Sequence, residues 1–213
     1  MDSNLKMYNE KKILRTISAL EKNNMNGYYI KNKDDLIKKI EELVSEDSVV
    51  TCGGSMTLFE TSIIDYLRSG RYTFLDRYKE EITQEEVVSI YNAAFTSDAY
   101  FVSTNAITEK GELYNVDGTG NRVAAMIYGP KKVIIICGVN KIVPSIEAAI
   151  ERNERVSAPI NAMRLNRKTP CKELGYCMNC RSEERICNDY VVIRRQSNKD
   201  RIHVLFLNEE LGY

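Results

Sequence analysis

The chain has 213 residues, with 30 Lys and Arg balancing 30 Asp and Glu. That length suits one domain, taken as 1–213, and zero net charge excludes nucleic-acid or anionic-membrane binding driven by bulk charge. With 43% hydrophobic and 28% charged residues, the chain can bury a core. No stretch nears the ~18 apolar residues that cross a bilayer, and residues 1–15 lack an apolar signal core, so a cytoplasmic protein with reduced thiols is expected.

Leu5, Tyr8, Ile13, Leu14, Ile17 and Leu20 recur at helical spacing, and Asn23, Asn24 and Gly27 stop that run. Tyr28, Tyr29 and Ile30 form a short extended piece, after which Asn32 or Asp34 caps a helix with the stripe Leu36, Ile37, Ile40, Leu43 and Val44. Val49-Val50-Thr51-Cys52 reads as a buried strand, followed by a helix through Leu58, Ile63, Ile64 and Leu67. Thr83 caps a helix through Val87, Val88, Tyr91 and Phe95, and Ala99-Tyr100-Phe101-Val102 follows as a strand. Val133-Ile134-Ile135-Ile136-Cys137 is continuously apolar, the mark of a strand covered on both faces in a parallel sheet. Pro144 opens a further helix through Ile146, Ala149 and Ile150.

This alternation predicts an α/β layered sheet, in which ligands bind beyond the carboxyl ends of the strands. The loops after Cys52, Val102 and Cys137 are therefore the places to seek a site. Residues 169–188 are poor in aliphatics and rich in cysteine and charge, which predicts a compact insert. Residues 191–195 and 202–207 read as strands separated by the turn Ser197-Asn198-Lys199-Asp200, the second rejoining the main sheet. The tail is mildly cationic: residues 151–213 carry 12 basic and 9 acidic side chains, against 18 and 21 before them.

Four constellations carry chemistry. Cys52-Gly53-Gly54-Ser55-Met56-Thr57 joins a buried strand to a helix, so its glycines, hydroxyls and helix N-terminus can cradle an anion; a plain turn with a serine cap is equally compatible. Ser103-Thr104-Asn105-Ala106-Ile107-Thr108-Glu109-Lys110-Gly111 follows a strand, and Glu109 is a conceivable general base. Residues 106–115 read better as a hairpin, which leaves Thr104 and Asn105 facing a pocket. Asp117-Gly118-Thr119-Gly120-Asn121-Arg122 again leads into a helix, with Arg122 placed either to clamp a phosphate or carboxylate or to pair with Asp117. Cys171, Cys177, Cys180 and Cys187 lie within seventeen residues, a set suited to zinc or an iron-sulfur cluster, since thiolates two residues apart can chelate one metal. Disulfides or idle thiols fit a reducing compartment less well. His203, the single histidine, lies in an alternating strand and reads as structural, which leaves no Ser-His-Asp arrangement.

Gly53-Gly54-Ser55-x-Thr57, Thr104-Asn105-Ala106-Ile107-Thr108-Glu109-x-Gly111, Asp117-Gly118-Thr119-Gly120-Asn121-Arg122 and Gly138-Val139-Asn140-Lys141-Ile142 together resemble the LUD domain family of lactate-utilisation proteins, over roughly residues 5–207. The resemblance implies a Rossmann-like, mostly parallel sheet similar to the sugar-phosphate isomerase and CoA-transferase-like superfamily. It implies a pocket bordered by Gly53, Gly54, Ser55, Thr57, Thr104, Asn105, Asp117, Gly118, Thr119, Gly120, Asn121, Arg122 and Lys141. Family members encoded with two partner proteins take part in oxidising L-lactate to pyruvate, and those partners include an iron-sulfur protein. The cysteine-rich tail looks like that of stand-alone bacterial members, which separates this chain from the lactate-operon form.

Two functions are expected from these features. One is an enzyme or enzyme subunit acting on a small anionic metabolite, a hydroxy acid, sugar phosphate or CoA ester, with Glu109 or Asp117 as general base. The other is a non-catalytic redox or regulatory module whose cysteines hold an iron-sulfur cluster or zinc and whose partner is a redox protein. Neither involves nucleic acid or a membrane, and a homo-oligomer stays open.

Overall fold

The structure, a computed structural model, describes residues 2–213; Met1, the first residue of the 1–213 span, lies outside them. Helix α1 (Ser3–Lys22) is capped by Asp2, and strand β1 (Asn26–Ile30) and helix α2 (Lys33–Leu43), capped by Asn32, follow. Then come β2 (Val49–Cys52), α3 (Met56–Glu60), α4 (Ile63–Leu67), β3 (Thr73–Leu75), α5 (Gln84–Ala93) and β4 (Ala99–Val102). The middle of the chain forms β5 (Ala106–Thr108), β6 (Leu113–Asp117), α6 (Asn121–Ile127), β7 (Lys132–Gly138) and β8 (Ile142–Val143). The last part forms α7 (Ile146–Arg152), α8 (Ala158–Arg164), α9 (Pro170–Leu174), β9 (Asp189–Ile193) and β10 (Ile202–Leu207).

Six strands pair in the order β1-β10-β7-β4-β2-β3, every pair parallel. The fold is thus α/β with a parallel sheet, and the continuous apolar run of β7 has the cause inferred for it. Val133, Ile135 and Cys137 point into one core with Ile13 and Leu20 of α1 and Met126 of α6. Ile134 and Ile136 point into the other with Leu36 and Ile40 of α2 and Leu58 and Ile63 from α3 and α4. Each such side chain, removed from water on a two-sided strand, contributes roughly 1.5–3 kcal/mol.

The expected hairpin forms: β5 and β6 are antiparallel, and with β8 and β9 they build a second sheet of order β8-β5-β6-β9. The two strands flanking the turn at 197–200 do not pair with each other. β9 joins the small sheet, whereas β10 enters the large one between β1 and β7. His203 fills a structural place there, stacked on Tyr28, with Nδ1 3.2 Å from the Tyr28 hydroxyl.

Two expectations need correction, and one strand went unread. The helix through Leu58 and Leu67 is two short helices, because the chain turns at Ser62 in the left-handed region (φ 60°). Strand β3 has too few residues to give a periodic signal. Leu5, Tyr8 and Leu14 remain exposed on α1, so only part of its apolar stripe, including Ile13 and Leu20, enters the core.

The segment from α7 to α8 is helical throughout, but residues Asn153–Ser157 form a π turn. Pro159 follows within one turn and has no N–H to return to the Arg155 carbonyl, so a regular α ladder cannot run through this point. No helix among the described residues is long and apolar enough to cross a membrane.

Candidate functional site

The loops after β2, β4 and β7 meet at the carboxyl edge of the large sheet, where a cavity of about 650 Å³ opens. Gly54, Ser55, Thr104, Asn105, Asp117, Gly118, Thr119, Asn121, Arg122 and Lys141 border it, as the motifs suggested.

Four expected residues sit elsewhere. Gly53 is a packing residue: a Cβ there would lie 2.6 Å from the Tyr100 hydroxyl, so only glycine fits. Thr57 stands behind the wall, fully buried, and touches Lys141. Gly120 caps α6 in the left-handed region beside Asp189. Glu109 lies at the end of the hairpin, away from the cavity lining, where its carboxylate accepts from Arg15 at 3.0 Å. A half-exposed ion pair on the far turn is no position for a general base serving this cavity. Helix α3 has five residues and Ser55 makes no side-chain cap, so neither a long helix dipole nor an ordinary serine cap describes that loop.

Arg122 is built into the cavity wall. Its Nη1 donates to Asn115 Oδ1 (2.6 Å), its Nη2 to Asn105 Oδ1 (3.0 Å) and to the Val116 carbonyl (2.7 Å), and its Nε faces Asp117 Oδ2 at 3.4 Å. Its donors are spent inside the protein, which corrects the expectation that Arg122 clamps a ligand. Asp117 is tied in the same way, because its other oxygen accepts from the amides of Thr119 and Gly120, each at 3.2 Å. Residues 115–122 thus hold a fixed loop shape.

Lys141 is the titratable group that stays available. It is 2% exposed, and its Nζ donates to Thr57 Oγ1 and Ser103 Oγ, both at 2.9 Å. No carboxylate pairs with it among the described residues. Burial, first of all, disfavours the ammonium form and lowers its pKa from 10.5 to about 8.

The other cations of the cavity come from segments that carried no motif. Arg77 lies over the rings of Tyr78 and Tyr91, at 5.3 and 4.8 Å from their centroids. Arg164 on α8 reaches Asn161 Oδ1 through Nε and Nη2, and Arg167 follows it on the rim. None of the three has an acidic partner among the described residues. Ser157 and Asn161 also face the cavity from the helix altered by the π turn. Tyr213 closes another side, at the end of a strap held by Asn140 and Glu60: Leu211 N donates to Asn140 Oδ1 (3.1 Å) and Gly212 N to Glu60 Oε2 (2.6 Å). Such residues gave no signal in the sequence, since lone arginines and asparagines on a helix read as a solvated face.

The cysteine insert forms the remaining wall, through Glu183, Glu184, Arg185, Ile186 and Asn188. All four cysteines are free thiols; Cys171 is buried, and Cys177, Cys180 and Cys187 are half-buried. Among the described residues no group of three or more Cys, His, Asp or Glu is gathered to hold a metal ion. As placed, the thiols are four separate side chains rather than one gathered ligand set. They do share one neighbourhood. Burial pushes the Cys187 thiol up to about 11, with further contributions from Cys177, Cys171 and Cys180. The Asn179 backbone amide donates to Cys177 Sγ at 3.3 Å.

Comparison with known proteins places the chain. No curated protein matches it. Among solved structures it is similar to a DUF162 family protein from Deinococcus radiodurans, at 10% identity and a TM-score of 0.53, covering 93% of this chain and 98% of that one. Weaker likenesses, covering 53% of this chain each, are to eIF2B beta from Chaetomium thermophilum (15% identity, 43% of that chain, TM-score 0.37) and to ribose 5-phosphate isomerase from Plasmodium falciparum (16%, 52%, 0.32). The LUD domain family matches residues 13–207, which hold every strand of both sheets, and the chain belongs to that family.

Proposed function

We propose that the chain binds a small anionic metabolite in the cavity at the carboxyl edge of the large sheet and serves organic-acid oxidation of the lactate-utilisation kind together with a redox protein. The observation that carries this reading is the set of cations with no acidic partner among the described residues, Arg77, Lys141, Arg164 and Arg167, facing one cavity. An anion supplies the ion-pair partner that these four cations lack among the described residues, although Asp117, Glu183 and Glu184 also line the cavity, and the cavity volume suits a hydroxy acid, a sugar phosphate or the head of a CoA ester. Arg164 and Arg167 are placed to bind the anion and Lys141 to move a proton, whereas Arg122 and Asp117 keep the loop in shape.

The test is ligand-induced stabilisation with L-lactate, inorganic phosphate and coenzyme A as probes. A ligand present at a hundredfold excess over its dissociation constant adds about 2.7 kcal/mol. At least one probe should raise the melting temperature of the wild type, and Arg164→Ala with Arg167→Ala should abolish that rise without lowering the unliganded melting temperature. No shift with any of the three sinks the reading.

A second reading, a redox or regulatory module with an iron-sulfur cluster or zinc on Cys171, Cys177, Cys180 and Cys187, is favoured by the shared neighbourhood of the four thiols. Metal analysis and a visible spectrum of anaerobically purified protein decide it: sulfide-linked iron or stoichiometric zinc supports it, and metal-free protein removes it.

A further inference from the structure

We propose that Lys141 is a catalytic amine that forms an imine with the carbonyl of a small anionic ketone or aldehyde, an α-keto acid or an open-chain sugar phosphate, and that Ser103 carries the proton for this step. The inference rests on the anion-binding reading above and adds to it the reacting group and the substrate's second functional group.

The geometry assigns the two hydroxyls beside Lys141 different parts. Thr57 Oγ1 donates its proton to the Leu211 carbonyl (3.3 Å), so toward Lys141 it can only accept. It therefore orients the amine and has no proton to give. Ser103 Oγ has no other hydrogen-bond partner among the described residues, and Ser103 borders the cavity. It can accept from the ammonium form or donate to the free amine, which is what a proton carrier must do. The strap residue Gly212 closes the opposite side, where a Cβ would stand 3.5 Å from Lys141 Nζ. That leaves the amine dry, fixed and directed toward Ser103.

Two alternatives fit less well. A purely structural lysine would be expected to carry an acidic partner at this depth, because an unpaired buried ammonium costs several kcal/mol. A lysine that only attracts the ligand's charge would sit on the rim like Arg164 and Arg167, where burial costs nothing. Burial without a carboxylate keeps the free amine accessible near neutral pH, with a pKa of about 8.

The step balances without an oxidant. The nitrogen lone pair of Lys141 attacks the carbonyl carbon, a C–N bond forms, and the carbonyl π electrons go to oxygen. One proton from the attacking amine passes through Ser103 to that oxygen, giving a neutral carbinolamine. Ser103 then protonates the hydroxyl as the C–O bond breaks and water leaves, and the remaining N–H proton of the carbinolamine returns to Ser103, so that both amine protons end on the water and a neutral imine remains. One carbonyl and one amine give one imine and one water.

The experiment incubates the full chain with pyruvate and, separately, with dihydroxyacetone phosphate, reduces with borohydride, and maps the product by peptide mass spectrometry. The expected result is a reduced adduct on Lys141 with at least one of the two, absent in Lys141→Met and in Lys141→Arg, and formed at least tenfold more slowly in Ser103→Ala. The yield should rise with pH as the amine loses its proton. Which probe labels tells a keto acid from a sugar phosphate. No adduct on Lys141 with either probe, or labelling no greater there than on exposed lysines, overturns the imine, and an unchanged rate in Ser103→Ala overturns the role of Ser103. A melting shift with the same probes is read in parallel: a shift without an adduct overturns the imine and leaves anion binding standing, while neither shift nor adduct overturns both.

Discussion

Arg122 Nη1 donates to Asn115 Oδ1 across 2.6 Å, and Asn115 is fully buried in the middle of β6. This contact ties the start of α6 to the small sheet and, with Asp117, makes the guanidinium part of the cavity wall. Replacing Arg122 with Met leaves the buried Asp117 carboxylate without its cation and takes one donor from each of Asn105 and Asn115, at a cost of about 3–5 kcal/mol. Arg122→Lys should still cost about 1–3 kcal/mol, because one ammonium cannot reproduce a fork bonded to Asn105, Asn115 and Val116 together. Urea unfolding without added anion measures both. A lysine variant within about 0.5 kcal/mol of wild type, the range of an ordinary surface change, would return Arg122 to ligand binding.

The fold was largely readable in advance because both-face burial leaves a direct trace, as in the unbroken run Val133 to Cys137. The loops holding Gly54, Thr104 and Asp117 were readable for a related reason: polar and glycine residues directly after a buried strand have few other uses. Glu109 shows where this reasoning stops. Its place in a motif beside Thr108 says nothing about which way the hairpin turns, and it turns toward Arg15 of α1. Arg164 and Tyr213 were unreadable because their convergence depends on the route of a helix altered at Pro159 and of a strap anchored on Asn140, and Arg77 because it lies in the irregular segment between β3 and α5, over Tyr78 and Tyr91. The thiols of the insert were readable as a group by spacing alone, while their placement was not.

Lys141 should give the fold a pH dependence of definite sign. Its pKa falls from 10.5 to about 8 on folding, so between those values the unfolded chain binds more protons and stability rises with pH. Below about pH 8 the buried ammonium weighs on the fold by an amount on the order of 3 kcal/mol, and above about pH 10.5 that burden is gone. Tyrosines and cysteines also titrate in this range, so the quantity to measure is the difference between wild type and Lys141→Met. That difference should favour the variant at pH 7 and shrink toward high pH. A flat difference would mean that Lys141 is not desolvated.

Gly138 ends β7 where the strap returns over Lys141. A Cβ at that position would lie 2.5 Å from Asn140 Oδ1, 2.7 Å from the Glu209 carbonyl and 2.7 Å from Leu211 N. Two of these atoms are backbone and the third is the side chain that holds Leu211, so none can yield without releasing the strap. Gly138→Ala should therefore cost roughly 1–3 kcal/mol, as overpacking does. It should also hydrate Lys141 and weaken the pH dependence described above. Denaturant unfolding at pH 7 and pH 10 reads both effects, and an unchanged protein would show that the strap is loose.

The six thiols should differ in reactivity in an order set by their surroundings. The backbone amide of Ser182, and then its hydroxyl, favour the Cys180 thiolate, which lowers that pKa on a thiol that is not fully buried. Burial pushes Cys52 up to about 12, Cys137 up to about 11 and Cys187 up to about 11. At pH 8, iodoacetamide should modify Cys180 first and leave Cys52 and Cys137 intact until unfolding, as read by peptide mass spectrometry over time. Prior incubation with zinc should protect Cys180 together with Cys177 and Cys187 if the insert gathers its thiols around a metal. Labelling of Cys180 at the same rate with and without zinc would leave the cysteines as ordinary side chains of the insert that walls the cavity.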